Sequence, residues 1–128
     1  MINIPFVKMH GAGNDYVYWD LINDELRKNS EHPVAIEELL PRLAILMADR
    51  HCGIGGDGLV LIVPGSTQLV RMRMFNPDGS EAEMCGNAIR CVARYARDTD
   101  LVDSDRFKIQ TMLRDVAVEV LTDGRVCA

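Results

Sequence analysis

The sequence predicts an α+β fold, and two observations carry that prediction. Several short segments alternate apolar and polar residues with period two, or run apolar for only about five residues, as strands do. One segment, from Gly86 to Arg97, instead has apolar residues over most of a helical circumference, which marks a mostly buried helix rather than a surface one.

Taken in order, Ile2 to Met9 and Tyr16 to Leu21 read as a hairpin-like pair of strands joined through Gly11 and Gly13. Asn23 to Pro33 is polar and charged, a surface loop or insertion. A helix is predicted around Pro41 to Ala48, with Pro41 near its first turn and Leu39, Leu43, Leu46 and Met47 at helical spacing. Leu59 to Val63 is continuously apolar, a strand buried on both faces. In Leu69 to Phe75, Val70, Met72 and Met74 alternate with Arg71 and Arg73, the pattern of a half-buried strand. Asn76-Pro77-Asp78-Gly79 is turn chemistry.

The period then becomes helical. At about 100° per residue, Ile89, Val92, Ala93 and Ala96 share a face flanked by Ala88, Cys91 and Tyr95, leaving Arg90, Arg94 and Arg97 as the polar stripe. Two more strands follow on Phe107, Ile109 and Thr111, then on Val116, Val118 and Val120. Thr122-Asp123-Gly124 is a hairpin turn, after which Arg125 to Ala128 begin a returning strand.

At 128 residues and 48% apolar composition, the chain can bury one domain-sized core. A net charge of −5 argues against nucleic acid or an anionic membrane as the main partner. No apolar run approaches spanning length, and the start lacks the layout of a secretion signal. Four cysteines without a Cys-x-x-Cys pair suit a reducing cytoplasm.

Cys85 is the leading chemical candidate, because it stands where the turn after a strand hands over to the buried helix. The first N–H groups of a helix lack intrahelical acceptors, and its dipole makes that end electropositive. Such a setting lowers a thiol's pKa and also binds carboxylates. Cys91 lies six residues on, points to another side and reads as core.

Three runs carry a resemblance to a known family. They are Lys8-Met-His10-Gly-Ala-Gly-Asn14-Asp15, Asp49-Arg50-His51-Cys52-Gly53-Ile-Gly55-Gly56-Asp57-Gly58, and Phe75-Asn76-Pro-Asp78-Gly79-Ser80-Glu81-Ala-Glu-Met-Cys85-Gly86-Asn87-Ala-Ile-Arg90-Cys91. In order and spacing they resemble the N-terminal motifs of diaminopimelate epimerase. The resemblance implies a strongly curved, mostly antiparallel sheet wrapped around a central helix at about Gly86 to Arg97. It also implies a cofactor-independent epimerase, without pyridoxal phosphate, acting between L,L- and meso-diaminopimelate. That step leads toward lysine and peptidoglycan precursors.

In that family two cysteines face each other across the substrate, one removing the α-proton and the other delivering a proton to the opposite face. Cys85 matches the N-terminal one. Asn14 and Asn76 match substrate-contacting asparagines, and Gly86 and Asn87 match the pair whose backbone amides hold the α-carboxylate. Gly58 stands where some members have glutamine, so it is left out of the site. The resemblance further implies two similar domains flanking a cleft, often in a homodimer. The motifs of the second domain are absent here, so residues 1–128 are read as the N-terminal domain, incomplete by itself.

The chemistry is consistent with these residue types. Removing an α-proton without a cofactor's electron sink calls for a base poised near neutral pH and a tightly oriented substrate. A thiol with an ordinary pKa of roughly 8.5 can be tuned to supply both protonation states.

Competing readings are weaker. Gly53-Ile-Gly55-Gly-Asp-Gly58 matches the Gly-x-Gly-x-x-Gly dinucleotide fingerprint, but a helix precedes it and a strand follows, the reverse of the phosphate-binding arrangement. These glycines read as tight turns and close approach to a neighbouring motif. His10, His32, His51 and Cys52 lack metal-ligand spacing, and His51 reads as a structural histidine with Arg50 and Asp57 as candidate partners. A cysteine-dependent racemase of the proline racemase kind and a non-catalytic domain are the alternatives. Cys127, in its Val-Cys-Ala setting, lacks the glycines and helix that follow the second cysteine of the family the chain resembles.

Overall fold

The computed structural model describes residues 6–11, 14–22, 33–51, 53–83 and 86–128, with side chains 10, 11, 14 and 33–37 also outside the description. Strands β1 (Val7–Gly11) and β2 (Asn14–Asp20) form an antiparallel hairpin in register from Val7↔Tyr18 to Gly11↔Asn14. Helix α1 (Pro33–Ala48) follows, then β3 (Leu59–Pro64), β4 (Val70–Phe75) and the two-residue β5 (Glu81–Ala82). Helix α2 (Gly86–Asp98) precedes β6 (Arg106–Gln110), β7 (Asp115–Val120) and β8 (Val126–Cys127).

The strands make one sheet in the order β1-β2-β3-β4-β6-β7-β8, with β5 beside β4. Antiparallel pairing dominates; β2 with β3 and β4 with β6 are the parallel pairs among the described residues. β5 pairs with Met74 and Phe75 at one end of β4, whereas β6 pairs with Val70 and Arg71 at the other. Among the described residues, no helix is long and apolar enough to cross a membrane.

One apolar cluster explains the curvature. Tyr16, Tyr18, Val60, Ile62, Met72, Met74, Ile109, Val118 and Val120 pack with Ile89, Val92, Ala93 and Ala96 of α2, joined at the margins by Met9 and Val126. Seven strands spaced about 4.8 Å apart would span roughly 29 Å if flat. A helix about 10 Å across could not touch both margins of such a sheet. The sheet therefore curls around α2, and the alanines at 88, 93 and 96, all fully buried, let the helix sit close to it.

The outer face carries a second cluster, in which Leu40, Ala44 and Met47 of α1 cover Val17, Trp19, Leu21, Leu59, Leu61 and Phe75. The continuous apolar run of β3 follows from this sandwiching: Leu59 and Leu61 face α1, while Val60 and Ile62 face α2.

Two expectations need correction. Helix α1 begins at Pro33, eight residues before Pro41, so Pro41 lies in the helix interior rather than near its first turn. Pro33 occupies the first helical position, where its missing N–H costs nothing, and Pro41 lies on the exposed side of the helix. The buried stripe also differs, because Leu39 and Leu46 are 44% and 64% exposed. The other expected elements are present, although residues 2–5 of the first strand and residues 23–32 of the polar segment lie outside the described residues.

Candidate active site

The direction of α2 decides which end of the sheet its N-terminus faces. Tyr95, in the second half of the helix, donates a hydrogen bond to Asp20 Oδ2 at 2.8 Å, where β2 ends. Arg94 donates to the Gly124 carbonyl at 2.7 Å, and Arg97 pairs with Asp105 at 2.8 Å. These ties hold the C-terminal half of α2 toward the end of β2. The first residues of α2, Gly86 and Asn87, are thereby directed toward the end where β2 starts. Burial, together with the bond to the Asp20 carboxylate, pushes the Tyr95 phenol up to about 12.

All three motif segments come off that same end. Val17 is in register with Leu59, and Leu59 with Phe75. The start of β2, Gly58 before β3 and Asn76 after β4 are therefore neighbours. Asn14 is the first residue of β2, paired through its backbone with Gly11. Cys85 lies outside the described residues and directly precedes Gly86 in sequence.

Asn76 is held by its own turn. Its N–H donates to the Ser80 carbonyl at 2.8 Å, and the Gly79 N–H donates to the Asn76 carbonyl at 2.9 Å. Gly79 supplies the positive φ of 90° that this turn requires. The Asn76 side-chain amide donates to Ser80 Oγ at 3.0 Å, and Ser80 donates to Asp78 Oδ1 through both its hydroxyl and its backbone N–H. Those bonds hold the Asp78 carboxyl below its ordinary value. Arg73 braces the next residues by a two-pronged pair with Glu81, at 2.9 and 3.0 Å.

At the helix start, a methyl group added to Gly86 would meet nothing within 4 Å among the described residues. Asn87 is half-buried, and its Oδ1 accepts from Arg90 Nη1 at 3.1 Å. As the first two residues of the helix, Gly86 and Asn87 have backbone N–H groups without intrahelical acceptors. An anion held there would meet donors and a favourable dipole together.

The glycine-rich run joins the other two motifs. Gly55 and Gly56 donate to the Met47 and Ala48 carbonyls at 2.9 and 3.1 Å, which closes the C-terminus of α1. At Gly58, a methyl group would lie 2.5 Å from the Phe75 carbonyl oxygen, so the backbone of this run sits directly against the start of the third motif. The expectation of close approach holds, as does the order helix, loop, strand that set this run apart from a dinucleotide site.

Sequence reasoning misplaced the partners of Arg50 and Asp57. Instead of turning to His51, which is exposed, both engage Asp15. Arg50 Nη2 lies 2.9 Å from Asp15 Oδ1 and 3.3 Å from Asp57 Oδ1, while Lys8 Nζ lies 3.2 Å from Asp15 Oδ2. The Asp15 N–H donates to Asp57 Oδ2 at 3.0 Å, and the Asp57 N–H returns a bond to the Asp15 carbonyl at 2.6 Å. Hydrogen bonds from Arg50 and then Lys8 hold the Asp15 carboxyl far below its ordinary value. The available signal was Asp15 itself, an acid heading the apolar run Tyr16 to Trp19, but its partners stand 35 and 42 residues away.

Comparison with known proteins agrees with this arrangement. The family model described as diaminopimelate epimerase matches residues 6–127. A diaminopimelate epimerase of Pelotomaculum thermopropionicum is 46% identical over 122 residues, covering 94% of this chain and 40% of that protein. One from Methanococcus maripaludis strain C5 is 47% identical over 121 residues, covering 94% of this chain and 40% of that protein. This chain thus spans about 40% of the length of the curated relatives it matches. A solved methylitaconate-delta-isomerase superposes with a TM-score of 0.64 at 18% identity, over 98% of this chain and 62% of that one, a likeness of fold.

Proposed function

Since the chain belongs to the diaminopimelate epimerase family, we propose that the protein containing it interconverts L,L- and meso-diaminopimelate without a cofactor. The observation that carries the reading is the gathering of the start of β2, the glycine-rich run, the Asn76 turn and the N-terminus of α2 at one end of the curled sheet. An amino-acid substrate needs its α-carboxylate neutralised and its α-carbon fixed before a weak base can remove the proton.

In this reading the backbone amides of Gly86 and Asn87 receive the α-carboxylate, which also acidifies the α-carbon. Asn14 and Asn76 orient the rest of the substrate. Cys85, directly before the helix, exchanges the α-proton on one face as thiolate base or thiol acid, according to the stereoisomer bound. A second acid/base for the opposite face comes from the part of the protein beyond these residues, as do further substrate contacts. Residues 1–128 are then its N-terminal domain, and the same reading carries a cytoplasmic location and a homodimer.

The test is α-hydrogen exchange on L,L-diaminopimelate in D₂O with the intact protein. Wild type should incorporate deuterium and form the meso isomer. Cys85→Ala should lose on the order of 10²-fold or more in rate, the scale of a lost acid/base group. Unimpaired exchange in Cys85→Ala would rule out this assignment.

A further inference from the structure

We infer that Asp15, Arg50 and Asp57 form a brace of positioning residues, which sets the backbone of β2's first residues and of Gly58 so that Asn14 and Asn76 meet the substrate in the geometry proton transfer requires. The inference rests on the function proposed above and extends it to residues that do not touch substrate.

Its basis is where the contacts fall. Asp15 and Asp57 bond each other's backbones reciprocally, the N–H of Asp15 to the Asp57 carboxylate and the N–H of Asp57 to the Asp15 carbonyl. This fixes the distance between the start of β2 and the loop leading into β3 at the residue adjoining Asn14. Arg50 bridges the two carboxylates with one guanidinium, and Lys8 reaches Asp15 from β1. Two carboxylates so close would repel each other without Arg50 between them. From Asp57 the link continues through Gly58, whose backbone abuts the Phe75 carbonyl one residue before Asn76. Arg50 is therefore tied, through its guanidinium and the two carboxylates it bridges, to the backbone segments that lead into both asparagines.

A fold-supporting role alone would not require a charged cluster here, because the adjacent apolar cluster of Val17, Leu59 and Phe75 already ties β2, β3 and β4 together. What the brace adds is directional: hydrogen bonds fix separation and orientation where apolar contacts permit sliding. Displacements on the order of 1 Å cost as much as about 10²-fold in an oriented reaction.

The experiment uses the intact enzyme with Arg50→Gln and Asp57→Asn, the latter keeping an acceptor for the Asp15 N–H while removing the charge. Steady-state rates and the primary isotope effect with α-deuterated substrate are measured alongside the folded fraction. The expected result is a kcat per folded molecule lowered about 10- to 100-fold, a KM changed much less, and a larger isotope effect as proton transfer becomes more rate-limiting. If Arg50→Gln fails to fold, Asp57→Asn decides. Variants whose kcat per folded molecule, KM and isotope effect match wild type overturn the brace, even if their melting temperature falls. A wild type that does not epimerise diaminopimelate overturns the functional reading and the inference with it.

Discussion

A methyl group on Gly58 would stand 2.5 Å from the Phe75 carbonyl oxygen, closer than any relaxed contact allows. Gly58→Ala should therefore push β3 and β4 apart at the site end and cost about 2 kcal/mol, the scale of overpacking, measured by urea unfolding. Tyr95 offers a contrasting case, because its hydroxyl donates a hydrogen bond to Asp20 while its ring packs against the core. Tyr95→Phe should cost about 1 kcal/mol, and the variant should lose the absorbance change of a tyrosine titrating near 12. The sign follows from the raised value. The contribution of Tyr95 is complete below the ordinary 10.0 and declines as the pH rises toward 12. Cys85, Gly86 and Asn87 stand out in the sequence because a turn, a glycine and a helix start are local features. The partnership of Tyr95 with Asp20, 75 residues apart, is not local and left no sequence signal.

Among the elements, α1 shows where periodicity fails as a guide. Its central residues Leu39, Leu40, Leu43, Ala44, Ile45, Leu46 and Met47 are apolar nearly all around, so no narrow stripe distinguishes the buried face. Packing on β2 and β3 chose Leu40, Ala44 and Met47, leaving Leu46 64% exposed. Leu40→Ala should accordingly cost about 3 kcal/mol, and Leu46→Ala within about 0.5 kcal/mol, a contrast that thermal unfolding would register directly. If the two substitutions cost the same, the assigned face is wrong. In α2 the opposite holds. Three arginines among alanines and branched residues leave one polar stripe, so Ile89, Val92, Ala93 and Ala96 were readable as its buried side, and they are all fully buried.

For the whole molecule, the carboxylates of Asp15, Asp78 and Asp115 are all held below their ordinary value by hydrogen bonds, from Arg50 and Lys8, from Ser80, and from Gln68 and Thr67 respectively. Groups lowered in the folded state favour folding fully above the unfolded value of 3.8 and lose that contribution as the pH falls through their lowered values. Stability should thus decline steeply below about pH 4, and Asp15→Asn should flatten the slope of unfolding free energy against pH in that range. An unchanged slope would remove Asp15 from the acid response. Local residue patterns were enough to specify strands, turns, the buried helix and the thiol at its start, because period, capping and turn chemistry act over a few neighbouring residues. Tertiary structure alone settled the parallel pairing of β2 with β3, the face of α1 that is buried, and the meeting of Lys8, Asp15, Arg50 and Asp57. Those depend on contacts between separate chain segments, which come together only when the sheet buries one face against α2 and the other against α1.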